Sequence, residues 1–194
     1  MRFSCAILAG GMSRRMGYDK ATAKFRGETL ITHVYNVAKK VFDDVMIVTS
    51  NHSNLKGIRG RILKDIIFVR SPITGIVTSL IESSTEYTFI LACDMPFVTE
   101  ESMRYVIENL SDEDIVIPKT EKGFEPLHAL YKRSCIPFLL RSLYLGKMKI
   151  QSIFPYLQVR ILENNLRFYN GSISVFTNIN TKEDLIRFSK SEHL

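Results

Sequence analysis

Cysteine is scarce in this 194-residue chain, and its pattern pairs with nothing: Cys5, Cys93 and Cys135 are odd in number and far apart, with no Cys-x-x-Cys spacing. That excludes a disulfide framework and a zinc knuckle, and it fits a reduced, cytoplasmic compartment. Long apolar runs are missing too. The first, Cys5 to Ala9, stops at glycines before it could form a signal-peptide core, and none approaches the roughly 18 apolar residues of a membrane span. Neither long linkers nor internal repeats divide the sequence. With 45% apolar residues, 1–194 reads as one globular domain able to bury a two- or three-layer core. No Ser-His-Asp or Cys-His arrangement suggests a covalent nucleophile.

The charge is less evenly spread than the composition. A net +6 invites a nucleic-acid reading, but Arg2, Arg14, Arg15, Lys20, Lys24 and Arg26 crowd the first loop against one nearby acid, Asp19. Elsewhere the signs mix, and no basic stripe interleaved with aromatics is present. A focus of this kind suits a small polyphosphate. Directly behind the apolar strand that ends at Leu8 and Ala9 come Gly10, Gly11, Gly17 and the cations Arg14, Arg15 and Lys20. Glycines let backbone amides approach an anion with no Cβ in the way, and the cations supply the counter-charge. The spacing is neither the Walker A loop nor the Gly-x-Gly-x-x-Gly dinucleotide fingerprint.

Short β-rich runs alternate with helical ones: 3–8, 30–42, 45–49, 66–69, 76–82 and 87–93. The alternation predicts an α/β fold, a mostly parallel central sheet with crossover helices on both faces. Leu30, Val34, Val37 and Val41 share one helical face. Thr99 is placed to cap a helix through Leu110, and Thr181 with Asp184 forms a capping box for a last helix through Phe188. Further strands are expected at 114–118, 127–131 and 159–162, with helices at 134–145 and 150–156. Phosphate loops of open α/β sheets sit at the carboxyl ends of strands, so Gly10, Asp65, Asp94 and Asn51 are expected to converge on one crevice.

Asp94 follows an apolar strand, 89–93, and a carboxylate at such a lip is costly unless paired with charge. A hard cation shared with substrate phosphates is one partner, and turn formation before Pro96 is the structural alternative. Lys20 can reach back toward phosphates held on the glycines, though most lysines simply face solvent. Asp65 reads as a turn residue on its own. His128 alternates onto one strand face with Pro126 and Leu130, where a lone histidine is usually packed core. Asn178 and Asn180 share a face, or cap the last helix.

The run LAGGMSRRMGYDKA, with CDMPF at 93–97, EPLHALY at 125–131 and FTNINT at 176–181, resembles the molybdenum cofactor guanylyltransferases within the Rossmann-like nucleotidyltransferase fold. The four segments span almost the whole chain in the family's order. The resemblance implies a single three-layer domain that transfers GMP from GTP to the terminal phosphate of molybdopterin, releasing pyrophosphate and forming a guanine dinucleotide cofactor. It implies GTP contacts by Leu8, Ala9, Gly10, Gly11, Lys20, Asp65 and Asp94, with Asp65 accepting from the base. Lys20, Arg15 and Asp94 are the implied catalytic residues, and Asp94 the ligand of Mg2+. His128, Asn178 and Asn180 fall on the pterin side. GTP, the molybdenum cofactor and cofactor-handling proteins are the expected partners, without nucleic acid or membrane. The chain departs from the family at Thr49, where asparagine is usual (Asn51 lies nearby), and at Ser71-Pro72-Ile73-Thr74-Gly75, which lacks the first glycine of Gly-Pro-Leu-x-Gly. The competing readings are the same fold using CTP or another phosphorylated acceptor, and a nucleotide-binding module without catalysis.

Overall fold

A computed structural model describes residues 1–9, 20–50, 55, 60–67, 69 and 71–189, with the Lys20 side chain outside that description. In chain order the strands are β1 (Phe3–Leu8), β2 (Lys24–Phe25), β3 (Glu28–Thr29), β4 (Asp44–Thr49), β5 (Arg61–Lys64), β6 (Tyr87–Ala92), β7 (Ile115–Thr120), β8 (Gly123–Phe124), β9 (His128–Lys132), β10 (Val159–Leu162), β11 (Tyr169–Asn170) and β12 (Ile173–Ser174). The α-helices are α1 (Leu30–Ala38), α2 (Pro72–Glu82), α3 (Glu100–Glu108), α4 (Ile136–Tyr144) and α5 (Lys182–Ser189).

The main sheet has the order β10-β7-β9-β6-β1-β4-β5, with β8 paired to β7. Strands β6, β1, β4 and β5 run parallel to one another, as do β7 and β10, while β9 runs antiparallel between β6 and β7. Every residue of β6 is buried, and all but the first of β1. Both read as near-continuous apolar runs because helices cover the sheet on each side. One face packs α1 and α3 through Ile31, Val34, Met103 and Val106 onto Ile7, Ile47, Phe89 and Leu130. The other packs α2 and α4 through Ile73, Ile76, Leu80 and Leu139 onto Leu8, Met46, Ile90 and Tyr131. A third cluster sets α5 through Leu185 against Phe25, Phe97 and Ile179.

The helix termini follow the sequence closely. Thr99 caps α3 with its hydroxyl accepting from the Ser102 amide at 3.1 Å, in a reciprocal box. At α5, Asp184 accepts from the Thr181 amide at 2.9 Å while Thr181 Oγ1 accepts from the Asp184 amide at 3.1 Å. Pro137 opens α4, where its missing N–H costs nothing. Helix α1 ends at Ala38, four residues short of the expected Phe42.

The expected strand at 66–69 is displaced. The strand is β5, and Ile66 and Val69 stand 49% and 43% exposed in the connection that follows it. An edge strand that buries only part of its side chains carries little of the apolar signal, so Arg61 and Lys64 mask it while the connecting Ile66-Ile67 imitates it. The shift puts Asp65 immediately past the carboxyl end of β5.

Candidate active site at the carboxyl edge of the sheet

Leu8 ends β1 in register with Ala92 of β6 and Val48 of β4. Its carbonyl accepts from the Cys93 amide at 3.2 Å. One residue on, the Ala9 amide donates to the Val48 carbonyl at 2.8 Å, and the buried Thr49 hydroxyl donates to the Ala9 carbonyl at 3.2 Å. The Ala9 amide is therefore committed to the sheet. Ala9 and Leu8 anchor the exit of the glycine loop. Gly10, Gly11, Arg15 and Asn51 lie outside the described residues, as does the side chain of Lys20, whose backbone opens a single 3-10 turn before β2. Thr49, at the position where the family favours asparagine, holds Ala9 with its hydroxyl.

Helix α2 crosses beneath this exit. A Cβ on Gly75 would stand 3.0 and 3.2 Å from the two methyl carbons of Leu8, closer than side chains normally pack, so glycine lets α2 approach the end of β1. Ser71 caps the helix through its hydroxyl, which accepts from the Ile73 amide at 3.2 Å, and Pro72 takes the first turn. The departure from glycine at Ser71 thus supplies an N-cap.

Asp65 lies against the same helix. Its amide donates to the Thr49 carbonyl at 2.9 Å. Its Oδ1 accepts from the Thr78 hydroxyl at 2.8 Å and the Ile67 amide at 3.2 Å, and its Oδ2 from the Thr74 hydroxyl at 2.7 Å. The Thr74 hydroxyl has a second acceptor, the Ser71 carbonyl at 2.8 Å, and its single hydrogen serves one of them at a time. Thr74 and Thr78 carry no motif, and the only sequence signal for them was their spacing of four on a helix beside an aspartate.

Across β1 and β4 from Asp65, Asp94 follows β6 at the edge, half-buried, and its carbonyl accepts from the Ile179 amide at 2.9 Å. That bond fixes the 177–180 segment beside the lip. Among the described residues no three metal-ligating side chains gather. A carboxylate at the edge where a glycine-rich segment leaves the sheet fits a hard cation that takes its other ligands from substrate phosphates and water.

Next to this segment opens a basin of about 550 Å³ whose walls include Lys122, Glu125, Tyr169, Phe176, Asn178 and Asn180. The structure thus brings Asn178 and Asn180 together here, on irregular backbone in place of a strand. Arg160 and Arg167 are occupied elsewhere, paired with Glu113 and Glu108. Sequence reasoning missed Glu125 and Lys122. Glu125 begins the EPLHALY segment, where attention falls on the histidine.

His128 itself is a correction. The pterin-side reading expects it at the substrate, but its ring is fully buried behind Phe176, edge-on to Phe89, Phe168 and Phe176 with centroids 5.2, 6.1 and 5.3 Å away. Both ring nitrogens are without a hydrogen bond among the described residues. The Ser102 backbone faces the ring without closing one, and offsets the burial only in part. Burial disfavours the imidazolium and pulls the pKa down from 6.5 to about 4. The folded protein then binds fewer protons at His128 than the unfolded chain, so this contribution to stability is complete above about pH 6.5 and is lost as pH falls toward 4. Replacing His128 with Leu should remove an acid-induced loss of about 3 kcal/mol at pH 4. Urea titrations of both proteins at pH 7.5 and pH 4.5 check it: the gap between the two pH values should narrow in the variant.

Residues 5–160 match the MobA-like NTP transferase domain. The molybdenum cofactor guanylyltransferase of Desulfosudis oleivorans is 38% identical over 182 residues, covering 92% of this chain and 90% of that protein. The crystal structure of molybdopterin-guanine dinucleotide biosynthesis protein A from Archaeoglobus fulgidus superposes with a TM-score of 0.81 at 27% identity, covering 96% of each chain. A CMP:2-keto-3-deoxy-manno-octonic acid synthetase structure, 12% identical with a TM-score of 0.76 over 96% of each chain, shares the fold.

Proposed function

Because the chain belongs to the MobA-like NTP transferase family, we propose that it transfers GMP from GTP to the terminal phosphate of the molybdenum cofactor and releases pyrophosphate. The observation that carries the reading is the likeness along nearly the whole chain to a guanylyltransferase. It is supported by two carboxylates, Asp65 and Asp94, at the carboxyl ends of β5 and β6 on either side of the glycine loop's root. Open α/β sheets bind ligands at that edge.

In this reaction a phosphate oxygen of the acceptor attacks the α-phosphorus of GTP, one P–O bond forms, and the bond to the β-phosphate oxygen breaks. The attacking oxygen is already ionised, so no general base is required, and the work is alignment and neutralisation of charge. Leu8 and Ala9 fix where the loop leaves the sheet. Gly10 and Gly11 offer amides to the phosphates, Lys20 and Arg15 offset their charge, and Asp65 accepts from the donor edge of guanine. Asp94 would hold Mg2+, which when bound screens the phosphate charges that meet at the reacting centre. Asn178 and Asn180 face the acceptor from the basin.

Among the described residues, no helix is long and apolar enough to cross a membrane. Pyrophosphate release measured with GTP, CTP and ATP, each with and without molybdopterin, tests the assignment. Release with GTP that depends on molybdopterin is the expected result, and faster release with CTP would overturn the guanylyl reading.

A further inference from the structure

The basin beside Asp94 contains a carboxylate to which no motif assigns a task. Glu125 sits at a turn whose backbone is fixed on both sides: its amide donates to the Pro118 carbonyl at 2.9 Å, and its carbonyl accepts from the His128 amide at 3.1 Å. Pro126 follows, and its carbonyl accepts from the Tyr131 hydroxyl at 2.9 Å. The side chain is half-buried, and among the described residues it has one hydrogen bond, from the Thr120 hydroxyl to Oε1 at 3.3 Å. A carboxylate accepts about four, so the described residues leave most of its capacity unfilled. Burial pushes the Glu125 carboxyl up from its ordinary value against the opposing pull of Thr120 and Lys122. A partly desolvated acceptor gains most from a ligand that brings donors to it.

The surroundings narrow the ligand. The basin has the volume of a small-molecule site, and Tyr169 and Phe176 give it aromatic walls suited to a flat ring. Asn178 and Asn180 join it to Ile179, whose amide is bonded to Asp94. We propose that Glu125 is a specificity-determining residue of the acceptor site, reading the adjacent ring N–H and exocyclic amine of a 2-amino-4-oxopyrimidine ring such as a pterin's. This rests on the reading of the basin as the acceptor side of the proposed transferase.

Pterins fluoresce, so binding can be measured without turnover. Titration of the intact protein with 6-hydroxymethylpterin, and with the 2-oxo analogue that lacks the exocyclic amine, should give at least about tenfold tighter binding of the pterin, the scale of a hydrogen bond to a charged group. Glu125→Gln retains an acceptor for Thr120 but offers a donor where the amine needs an acceptor, and should bring the two ligands to within about threefold. Equal binding of both by the unsubstituted protein, binding of neither, or a preference that survives Glu125→Gln would each overturn the proposal. In the coupled assay with GTP, Glu125→Gln should raise the KM for molybdopterin and leave that for GTP unchanged. If the unsubstituted protein forms no product from GTP and molybdopterin while the pterin preference holds, the transferase reading fails and the recognition by Glu125 stands.

Discussion

Asp94→Ala should lower the rate of GMP transfer at saturating Mg2+ by at least about a hundredfold, the scale of losing one preorganised electrostatic partner of a transition state. The fold should survive the change. Asp94 is held in place through its backbone, by the Ile179 amide, and the strand before it is packed on both faces. A half-buried carboxylate at the end of such a strand adds charge to the edge without filling the core. Thermal melting within a few degrees of the unsubstituted protein, alongside the loss of rate, is the expected pair of results. Near-normal turnover with Mg2+ would move the metal away from Asp94.

The second large effect concerns the base. If Asp65 accepts from both the ring N–H and the exocyclic amine of guanine, then ATP and CTP, which lack that donor pair, leave part of a half-buried carboxylate's acceptor capacity unfilled. Sites built this way reject the wrong ligand by roughly ten-thousandfold. Three of the carboxylate's roughly four acceptor positions are already filled by Thr74, Thr78 and Ile67. Room for two guanine donors arises when the Thr74 hydrogen turns to the Ser71 carbonyl, 2.8 Å away. Asp65→Asn offers a donor where acceptors are needed, both to guanine and to the two threonines, so GTP use should collapse. ITP keeps the ring N–H but lacks the amine, and should fall between GTP and ATP with the unsubstituted protein. Transfer rates for GTP, ITP, ATP and CTP with both proteins decide the matter. Rates for Asp65→Asn with GTP close to those of the unsubstituted protein would remove Asp65 from base recognition and leave it as the anchor of α2.

How much of this was legible in the chain varied with the kind of signal. Buried strands spell themselves out: β1 was expected at 3–8 and is Phe3–Leu8, and the caps at Thr99 and Thr181 are local hydrogen-bond patterns written in neighbouring residues. The edge strand β10 was legible at 159–162, but the edge strand β5 was displaced and the short hairpins were not legible. The β2–β3 hairpin turns on Arg26 and Gly27 with φ of +48° and +87°. Two left-handed residues are the mark of a tight primed hairpin, but arginine at the first of them hides it. The site divided the same way. Asp94 was found because a strand end locates it and Asp65 because the resemblance assigns it, whereas the basin is assembled from the β7–β8 hairpin, the connection after β10 and the segment before α5. No spacing rule relates such distant stretches, and for His128 the strand alternation pointed to packed core, as found, while the resemblance pointed to the pterin side.

Strand β9 has a consequence for the order in which the protein can assemble. It occupies the slot between β6 and β7 yet is made after both, so during synthesis the two strands it will join wait with unfilled edges. Until residue 132 has left the ribosome, β6 and β7 share no ladder, and the half of the sheet that carries the basin has nothing to dock on. A nascent chain stopped at Glu125 would present the open edges of β6 and β7, the arrangement most prone to pairing with another copy. The late insertion of one reversed strand therefore joins the nucleotide half of the sheet to the half on which the basin is later built, and makes any premature stop before it a hazard of aggregation as well as a loss of activity.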